Sequence, residues 1–208
     1  MNLHVSNHPA VKHKLINLRD PQTPHWEFER LITEITLVLA VTATEYLETL
    51  TVNIKTPLED TTGEKLVKRI SLVPILRAGM AMVPAFKHLY PSAKVGLIGL
   101  ARDEETLNPS QYYENLPKPI TKDTVIVLDP MLATGGSASY SISILKELGA
   151  KDLIMVSIIA APEGVEKVHS DHPDVHIYTA ALDRELNDRG YILPGLGDAG
   201  DRIFGNFT

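Results

Sequence analysis

Residues 124–150 read TVIVLDPMLATGGSASYSISILKELGA, and this stretch decides the fold. The apolar, mostly β-branched run at 125–128 is typical of a strand that is buried on both faces of a parallel sheet. Asp129 follows the run, and a turn of small residues, ATGGS, occupies positions 133–137. Apolar residues then recur at helical spacing up to Gly149, where a left-handed cap is expected (Ala138, Ile142, Leu145 and Leu148). The stretch therefore predicts a strand, an acid, a glycine-rich turn and a helix, in that order.

The chemistry of this turn favours an anion, and phosphate in particular. The first N–H groups of a helix have no partner within the helix, and the helix dipole adds partial positive charge there. Gly135 and Gly136 let the main chain approach an anion closely, while Thr134 and Ser137 add hydroxyl donors. Asp129 would repel a phosphate and is better suited to accept hydrogen bonds from sugar hydroxyls. An ordinary tight turn is the alternative, and the absence of a P-loop lysine disfavours a nucleoside-triphosphatase.

The rest of the chain alternates between predicted strands and helices, which indicates an α/β fold with a parallel sheet flanked by helices. Strands are predicted at 69–76, 94–100, 124–128, 152–159 and 175–180. Ahead of them we predict two helices, at 8–18 and 26–50, and a β-arm from residue 51 with a turn at 60–63. We interpret the 208 residues as a single domain. Its parts are N-terminal helices and arm at 1–68, a core sheet at 69–182 and a tail at 183–208.

Two arginines, Arg77 and Arg102, directly follow predicted strands. Ligands of open α/β sheets bind outside the carboxyl ends of the strands, so both arginines should share an edge with Asp129. A lone arginine there is usually part of a surface ion pair, but two at equivalent positions favour phosphate binding. The long connection at 108–120 contains three prolines, and we interpret it as a lid.

The composition excludes several classes of function. With 20 Lys and Arg against 26 Asp and Glu, the net charge is −6, the wrong sign for a general nucleic-acid binder. The absence of cysteine excludes disulfides and thiolate metal sites. No apolar run is long enough to span a bilayer and no signal-peptide pattern is present, so we expect a cytoplasmic protein. Pro173 separates the histidines at 169, 172 and 176, so we expect no metal ligated by the protein.

The tail contains a literal match to the dinucleotide fingerprint GxGxxG at residues 195–200. That fingerprint needs a preceding strand, a following helix and an acid about twenty residues further on. The sequence ends eight residues after Gly200, so we expect neither the helix nor the acid and reject this reading. The glycines instead indicate a loop whose backbone is open for contact.

Two motifs resemble a known family. Residues 129–137, DPMLATGGS, resemble the phosphoribosyl-diphosphate motif of the phosphoribosyltransferases, in the form found in the uracil phosphoribosyltransferase family. One acid stands where many members of the wider superfamily have two. Residues 191–202, YILPGLGDAGDR, resemble that family's uracil-binding segment. The resemblance extends from about Leu72 to Phe204, and it implies a phosphoribosyltransferase-type core with a C-terminal hood that binds a base.

The resemblance also implies roles for the matching residues. Arg77 and Arg102 match the residues that hold the diphosphate, Arg102 in a segment that closes over it, and Asp198 and Arg102 are implied to be catalytic. Mg²⁺ is expected as a cofactor that the diphosphate itself mainly holds. A non-proline cis peptide can occur in the family's loop matching 76–79. Residues expected to contact phosphoribosyl diphosphate are Arg77, Arg102, Asp129, Pro130, Met131, Leu132, Ala133, Thr134, Gly135, Gly136, Ser137 and Asp198.

Recognition of the base should fall to the main chain. Uracil presents two carbonyl acceptors on either side of one N–H donor, and no Asn or Gln lies between Ile192 and Gly200 to read this pattern. We therefore predict that backbone groups of Ile192, Gly197 and Ala199 bind uracil, while Asp198 is directed towards the ribose and N1.

The implied reaction joins uracil to phosphoribosyl diphosphate and gives UMP and diphosphate, a step of pyrimidine salvage. Two alternatives stay open: a nucleotide-sensing or RNA-binding regulator with the same fold, and a transferase for another base. Some relatives respond to GTP, and nothing in the sequence decides this point. The apolar N-terminal helices and arm predict at least a homodimer. Other partners should be the small-molecule substrates, with no nucleic acid and no membrane.

Overall fold

The computed structural model describes residues 2–102 and 109–206, in which strands and helices alternate along most of the chain. The strands are β1 (Leu3–Val5), β2 (Thr49–Lys55), β3 (Asp60–Leu66), β4 (Arg69–Leu76), β5 (Lys94–Val95), β6 (Leu97–Arg102), β7 (Pro109–Asn115), β8 (Asp123–Leu128), β9 (Met131–Leu132), β10 (Asp152–Ala160), β11 (His176–Leu182), β12 (Glu185–Leu186) and β13 (Ile192–Leu193). The helices are α1 (Pro9–Arg19), α2 (His25–Ala43), α3 (Val83–Leu89), α4 (Gly136–Glu147), α5 (Pro162–Asp171) and α6 (Ala199–Phe204), and a 3-10 turn (Ala78–Met82) precedes α3.

A mostly parallel sheet organises these elements. Its described strands follow the order β1-β11-β10-β8-β4-β6-β7, and every neighbouring pair is parallel except β6 with β7. Strands β4 and β8 pair from Arg69 opposite Asp123 to Pro74 opposite Leu128. Because the central strands run in the same direction, the loops that follow β4, β8 and β10 meet at one edge of the sheet.

The side chains of the central strands alternate between two apolar cores. In β8, Ile126 and Leu128 belong to a core shared with α1, α2, α3 and α6, whereas Val125 and Val127 belong to one shared with α4 and α5. All four side chains are fully buried. A strand covered on both faces has to be apolar throughout, which explains the uninterrupted run in the sequence. The predicted α/β fold, with helices on both faces of a parallel sheet, is confirmed.

The predicted helix at 26–50 is too long, because α2 ends at Ala43. At its end the Thr44 hydroxyl donates to the Ala40 carbonyl at 2.6 Å. The β-branched residues that follow favour an extended chain, and they form β2.

The turn predicted at 60–63 is also wrong, since those residues begin β3. The hairpin of β2 and β3 turns at 56–59 instead, where the Thr56 hydroxyl oxygen accepts hydrogen bonds from the amides of Leu58 and Glu59 at 3.2 and 3.0 Å. A threonine that satisfies nearby amides in this way favours a turn over a straight strand.

The sequence patterns miss or misplace other elements. Strand β1 adds to the β11 edge of the sheet, and Gly96 divides the predicted strand at 94–100 into β5 and β6. Most of the segment interpreted as a lid is β7, an edge strand antiparallel to β6; Asn108 lies outside the described residues. Helix α6 includes Gly200, so the expectation that no helix forms there is wrong. None of the helices in the described ranges combines the length and apolarity needed to cross a membrane.

Candidate active site

The phosphate loop, residues 133–137, connects β9 to the start of α4. Gly135 caps α4 with φ of 78°, and its carbonyl accepts the Ser139 amide at 2.8 Å. A Cβ at Gly135 would lie 2.7 Å from the Gly164 carbonyl oxygen, so both the backbone angle and the available space require glycine here. The loop therefore presents the first amides of α4 at the carboxyl edge of the sheet, which is the geometry that binds a phosphate.

Helix α5 supports the phosphate loop from behind. A Cβ on Gly164 would lie 2.4 Å from the Ala133 carbonyl oxygen and 2.7 Å from that of Leu132, so the helix backbone rests directly on the loop backbone. Further along, the Ser139 hydroxyl donates to the Asp171 carboxylate, and the Lys167 ammonium lies 2.9 Å from the same group. The hydrogen bond from Ser139, followed by that from Lys167, lowers the pKa of Asp171. These contacts fix the start of α4 against α5.

Asp129 lies at the end of β8, as predicted. Its amide donates to the Val156 carbonyl at 3.2 Å, and its Oδ1 accepts the Met131 amide at 3.2 Å. The following residue, Pro130, offers its carbonyl to the amides of Ile158 and Ile159 at 3.0 Å each. The half-buried carboxylate is thereby held beside the phosphate loop, where it can accept hydrogen bonds from a sugar.

The loop after β4 joins these two features to the tail. The Leu76–Arg77 peptide bond is cis. A Cβ on Gly79 would lie 2.4 Å from the Leu128 carbonyl oxygen, so this loop packs against the residue before Asp129. The Arg77 guanidinium lies 4.0 Å from Asp201 and 5.3 Å from the centre of the Phe204 ring, and 60% of the side chain is exposed. The exposed guanidinium of Arg77 therefore lies between α6 and the residues around Asp129.

Arg102 ends β6, but its side chain lies outside the described residues. Its predicted meeting with Arg77 and the phosphate loop stays a prediction.

The base loop, residues 192–199, leads from β13 into α6. Within it Ile192 and Ala199 are buried, while Gly197 and Asp198 are exposed. Gly197 has φ of 81°, a backbone conformation that favours glycine. The Asp198 carboxylate caps α6 by accepting the Asp201 amide at 2.9 Å, so this predicted catalytic residue also shapes the loop. Asp201 and Phe204, in the helix that follows this loop, lie against Arg77.

Sequence reasoning missed the residues that hold the base loop. Arg19, at the end of α1, binds the Asp183 carboxylate through both terminal nitrogens, at 2.8 and 2.5 Å. The same pair holds Gly195: Arg19 donates to its carbonyl at 2.6 Å, and its amide donates to Asp183 at 3.0 Å. Because these partners are far apart in the chain, one sequence read alone carries no signal that they pair.

A second missed arginine, Arg202, lies buried between the base loop and the first two helices. It donates to the carbonyl oxygens of Leu18, Leu196 and Asp20 at 2.7, 2.8 and 2.5 Å, and it lies 4.2 Å from the centre of the Phe28 ring. Burial lowers its pKa, while Asp20 acts in the opposite direction. An open groove of about 460 Å³ runs along this loop. It is lined by Arg19, Pro21, Pro194, Gly195, Leu196, Gly197, Asp198, Asp201, Arg202 and Asn206.

Two of the histidines considered as metal ligands, His172 and His176, have other hydrogen-bond partners. His172 is buried, and its Nε2 lies 3.0 Å from the Ser139 carbonyl oxygen. Within residues 2–102 and 109–206, no three His, Cys, Asp or Glu side chains group in a way that could hold a metal ion.

Comparison with known proteins places this geometry among relatives. The family model described as uracil phosphoribosyltransferase matches residues 5–206. The uracil phosphoribosyltransferase of Dictyoglomus thermophilum is 55% identical over 202 residues, covering 97% of this chain and 98% of the relative. That of Staphylococcus aureus is 51% identical over 204 residues, covering 98% of each chain.

Solved structures agree on the fold. A protein from Aquifex aeolicus, 34% identical, matches with a TM-score of 0.93 over 97% of both chains. An adenine phosphoribosyltransferase from Trypanosoma brucei matches with a TM-score of 0.57 at 13% identity, over 87% of this chain and 84% of the other. The second likeness confirms the phosphoribosyltransferase-type fold alone.

Proposed function

The chain belongs to the uracil phosphoribosyltransferase family, and we propose that it transfers the phosphoribosyl group of 5-phospho-α-D-ribose 1-diphosphate to uracil in pyrimidine salvage. The products are UMP and diphosphate. The observation that carries this proposal is the contact between three loops at one sheet edge. Gly79 packs on the Leu128 carbonyl beside Asp129, and Arg77 reaches Asp201 in the tail. Phosphoribosyl diphosphate bound at the phosphate loop, Asp129 and Arg77 would therefore lie next to uracil bound at the tail.

In this reaction the bond from C1′ to the diphosphate oxygen breaks, and a bond from C1′ to uracil N1 forms. Positive charge develops on the ribose ring, negative charge develops on the leaving diphosphate, and N1 loses its proton. Amides of the phosphate loop hold the 5′-phosphate, and Asp129 accepts hydrogen bonds from the ribose hydroxyls. Arg77 and Arg102 neutralise the diphosphate as it leaves. Catalysis then consists mainly of positioning and charge stabilisation.

The base is read by the main chain of the base loop. We propose that backbone groups of Ile192, Gly197 and Ala199 form hydrogen bonds with the edge of uracil. The Asp198 carboxylate is directed towards N1. The amide of Ala199 begins α6 and has no partner within that helix, so it suits a carbonyl of uracil. Mispairing would leave buried polar groups unsatisfied, so discrimination against cytosine should be on the order of 10⁴.

Mg²⁺ is proposed to arrive with the diphosphate. The ion keeps several waters and commonly binds through one or two carboxylates plus substrate phosphates, and the Asp129 carboxylate beside the phosphate loop fits that donor set. When bound, the ion supplies further positive charge to the departing diphosphate. Asp129 would orient the ribose and offer one oxygen ligand.

The decisive experiment measures nucleotide formation from phosphoribosyl diphosphate with uracil, cytosine, hypoxanthine and guanine in parallel. We expect UMP from uracil and at most trace product from the other bases. Turnover of cytosine within tenfold of uracil would contradict the assignment of the base loop, and turnover of a purine alone would contradict the proposed substrate.

We also propose that the protein forms at least a homodimer through its N-terminal elements. The hairpin of β2 and β3 pairs only with itself among the described strands, and it exposes apolar side chains, with Leu58 95% exposed. Large exposed apolar patches mark protein contacts. Light scattering should give at least twice the 22.9 kDa chain mass, and a monomer at micromolar concentration would refute this. We also propose a cytoplasmic location for the reaction.

A further inference from the structure

We propose that Arg19 and Asp183 are positioning residues that set the geometry of the base loop and thereby the discrimination between uracil and cytosine. This inference rests on the function proposed above and assigns a new role to two residues that lie outside the two motifs, 129–137 and 191–202. Neither residue is placed in contact with the reacting atoms. Both act through the main chain of Gly195.

The pair fixes both peptide groups that flank Gly195. The Gly195 amide donates to Asp183 at 3.0 Å, and the Gly195 carbonyl accepts from Arg19 at 2.6 Å. The two side chains are joined to each other by two further hydrogen bonds, at 2.8 and 2.5 Å. The planar guanidinium therefore fixes the directions of the carboxylate and the carbonyl relative to each other, which the single rotatable nitrogen of an ammonium group does not.

Gly195 transmits this constraint to the groups that read the base. It has φ of 66°, and a Cβ there would lie 2.1 Å from the Ile192 carbonyl oxygen. The carbonyl of Ile192 is therefore in direct contact with Gly195, while Gly197 follows two residues later. A shift of about 1 Å in such groups can lower a rate by about 10²-fold, and unlike a shape contact, a hydrogen-bond pattern is sensitive to orientation.

Burial makes the pair effective as a brace. The Asp183 side chain is 4% exposed and that of Arg19 is 23% exposed, so little water is available to replace a lost bond. Apolar side chains in their place would leave the Gly195 amide and carbonyl unpaired. The Asp183 amide also donates to Ala160 at the end of β10, at 2.8 Å, so the brace is fixed to the central sheet. The pair thus transfers the rigidity of the sheet to a loop that has little regular structure of its own.

The test compares Arg19→Lys with the parent protein. Lysine keeps the charge but cannot reproduce the two parallel bonds to Asp183 together with the bond to the Gly195 carbonyl. We expect the KM for uracil to rise about tenfold and the uracil-to-cytosine ratio of kcat/KM to fall about tenfold, as for the loss of one hydrogen bond to a charged group. The KM for phosphoribosyl diphosphate should stay within about twofold, because the phosphate loop does not touch the pair. Arg30→Lys is the matched control, since Arg30 makes exposed ion pairs with Glu27 and Glu34 on α2.

A second readout does not depend on activity. Hydrogen exchange at the Gly195 amide should be at least tenfold faster in Arg19→Lys and in Asp183→Asn than in the parent, and unchanged in Arg30→Lys. Asp183→Asn keeps the size of the side chain but removes the charge that strengthens its bonds to Arg19 and to the Gly195 amide, so it covers the case in which Arg19→Lys fails to fold.

The outcomes separate this inference from the proposed function. A folded Arg19→Lys variant with an unchanged uracil-to-cytosine ratio overturns the inference and leaves the function intact. An equal rise in the KM for uracil and the KM for phosphoribosyl diphosphate also overturns it, because that result indicates general destabilisation. A parent protein that forms no UMP overturns the proposed function and the inference with it.

Discussion

The phosphate loop and the base loop border the same site, but they are held in place by different means. The phosphate loop rests on α5 through backbone contacts at Gly135 and Gly164, and through a hydrogen bond between Ser139 and Asp171, 32 positions apart. The base loop is held by side chains that reach main-chain atoms from the opposite end of the sequence, with Arg202 bonded to Leu18 across 184 positions.

This difference matters for function. In the proposed reaction the phosphate loop binds a group that does not change with the base, and the glycine backbones at Gly135 and Gly164 leave no room for a larger residue. A base must be told from similar bases, and a loop braced by arginine side chains can be adjusted by a single substitution. We infer that the grip on phosphate and the choice of base can change separately.

The largest effect on activity should come from replacing Arg102, which belongs to neither loop. If it neutralises the diphosphate only as the bond breaks, Arg102→Ala should lower kcat by about 10²–10³-fold and raise the KM for phosphoribosyl diphosphate much less. Steady-state kinetics with the fold checked by circular dichroism measure this. Kinetics equal to those of the parent would show that activity does not depend on the Arg102 side chain.

The next largest effect should come from Gly164→Ala. Alanine stabilises a helix by about 0.5–1 kcal/mol relative to glycine, yet here its Cβ would push the phosphate loop by its Leu132 and Ala133 carbonyls. We expect kcat/KM for phosphoribosyl diphosphate to fall about 10²-fold. Gly63→Ala is the control, because its Cβ would lie at an ordinary 3.6 Å from Ile54. If both variants behave alike, α5 does not support the loop.

Substitution of Asp198 should have a smaller effect. Two variants separate its roles, which are to cap α6 and to place a negative charge near N1. Asparagine caps a helix as well as aspartate, so Asp198→Asn should keep the stability of the parent while losing the charge near N1. We expect kcat to fall about tenfold, as for the loss of one charge-assisted hydrogen bond. Asp198→Ala should lose a similar rate and also about 1 kcal/mol of stability. An Asn variant with full activity would restrict Asp198 to capping α6.

The smallest effect should appear in the pH dependence of stability. The pKa of Asp171 is lowered below its ordinary 3.8 in the folded protein, so its carboxylate stabilises the fold above that value. This contribution is lost as the pH falls through the lower, folded-state pKa. Asp171→Asn should therefore be less stable at neutral pH, by less than about 1 kcal/mol, and should lose less stability on acidification.

Urea unfolding at a series of pH values measures this difference. Asp60→Asn, in the hairpin of β2 and β3, controls for the loss of a carboxylate far from the phosphate loop. Parallel pH profiles for the parent and Asp171→Asn would argue against the clamp between α4 and α5.

Much of the phosphate side could be predicted from the sequence because its determinants are local. The run at 125–128, Asp129 and the two glycines follow one another in the chain, and each has a regular conformational meaning. The role of Gly164 could not be predicted, because a glycine within a helix indicates close packing but does not identify the segment that packs against it. The start of the β2–β3 hairpin was misjudged because the helical pattern of α2 continues past Ala43, where the helix ends.

The supports of the base loop could not be predicted, for a physical reason. Arg19 and Asp183 are single charged residues at the ends of predicted elements, where exposed charges are common. Their pairing becomes visible only when the sheet brings α1 and the chain after β11 together. Arg77 could be predicted because it follows a strand of the parallel sheet, and ligands bind outside the carboxyl ends of such strands.

The 164 positions between Arg19 and Asp183 also bear on how the protein is made. Closing so long a segment is entropically unfavourable until many other contacts exist, so the brace forms late in folding. During synthesis, α1 leaves the ribosome long before its partner, and the phosphate loop can be complete while Asp183 is still untranslated. The phosphate loop is therefore synthesised before the residues that complete the base loop.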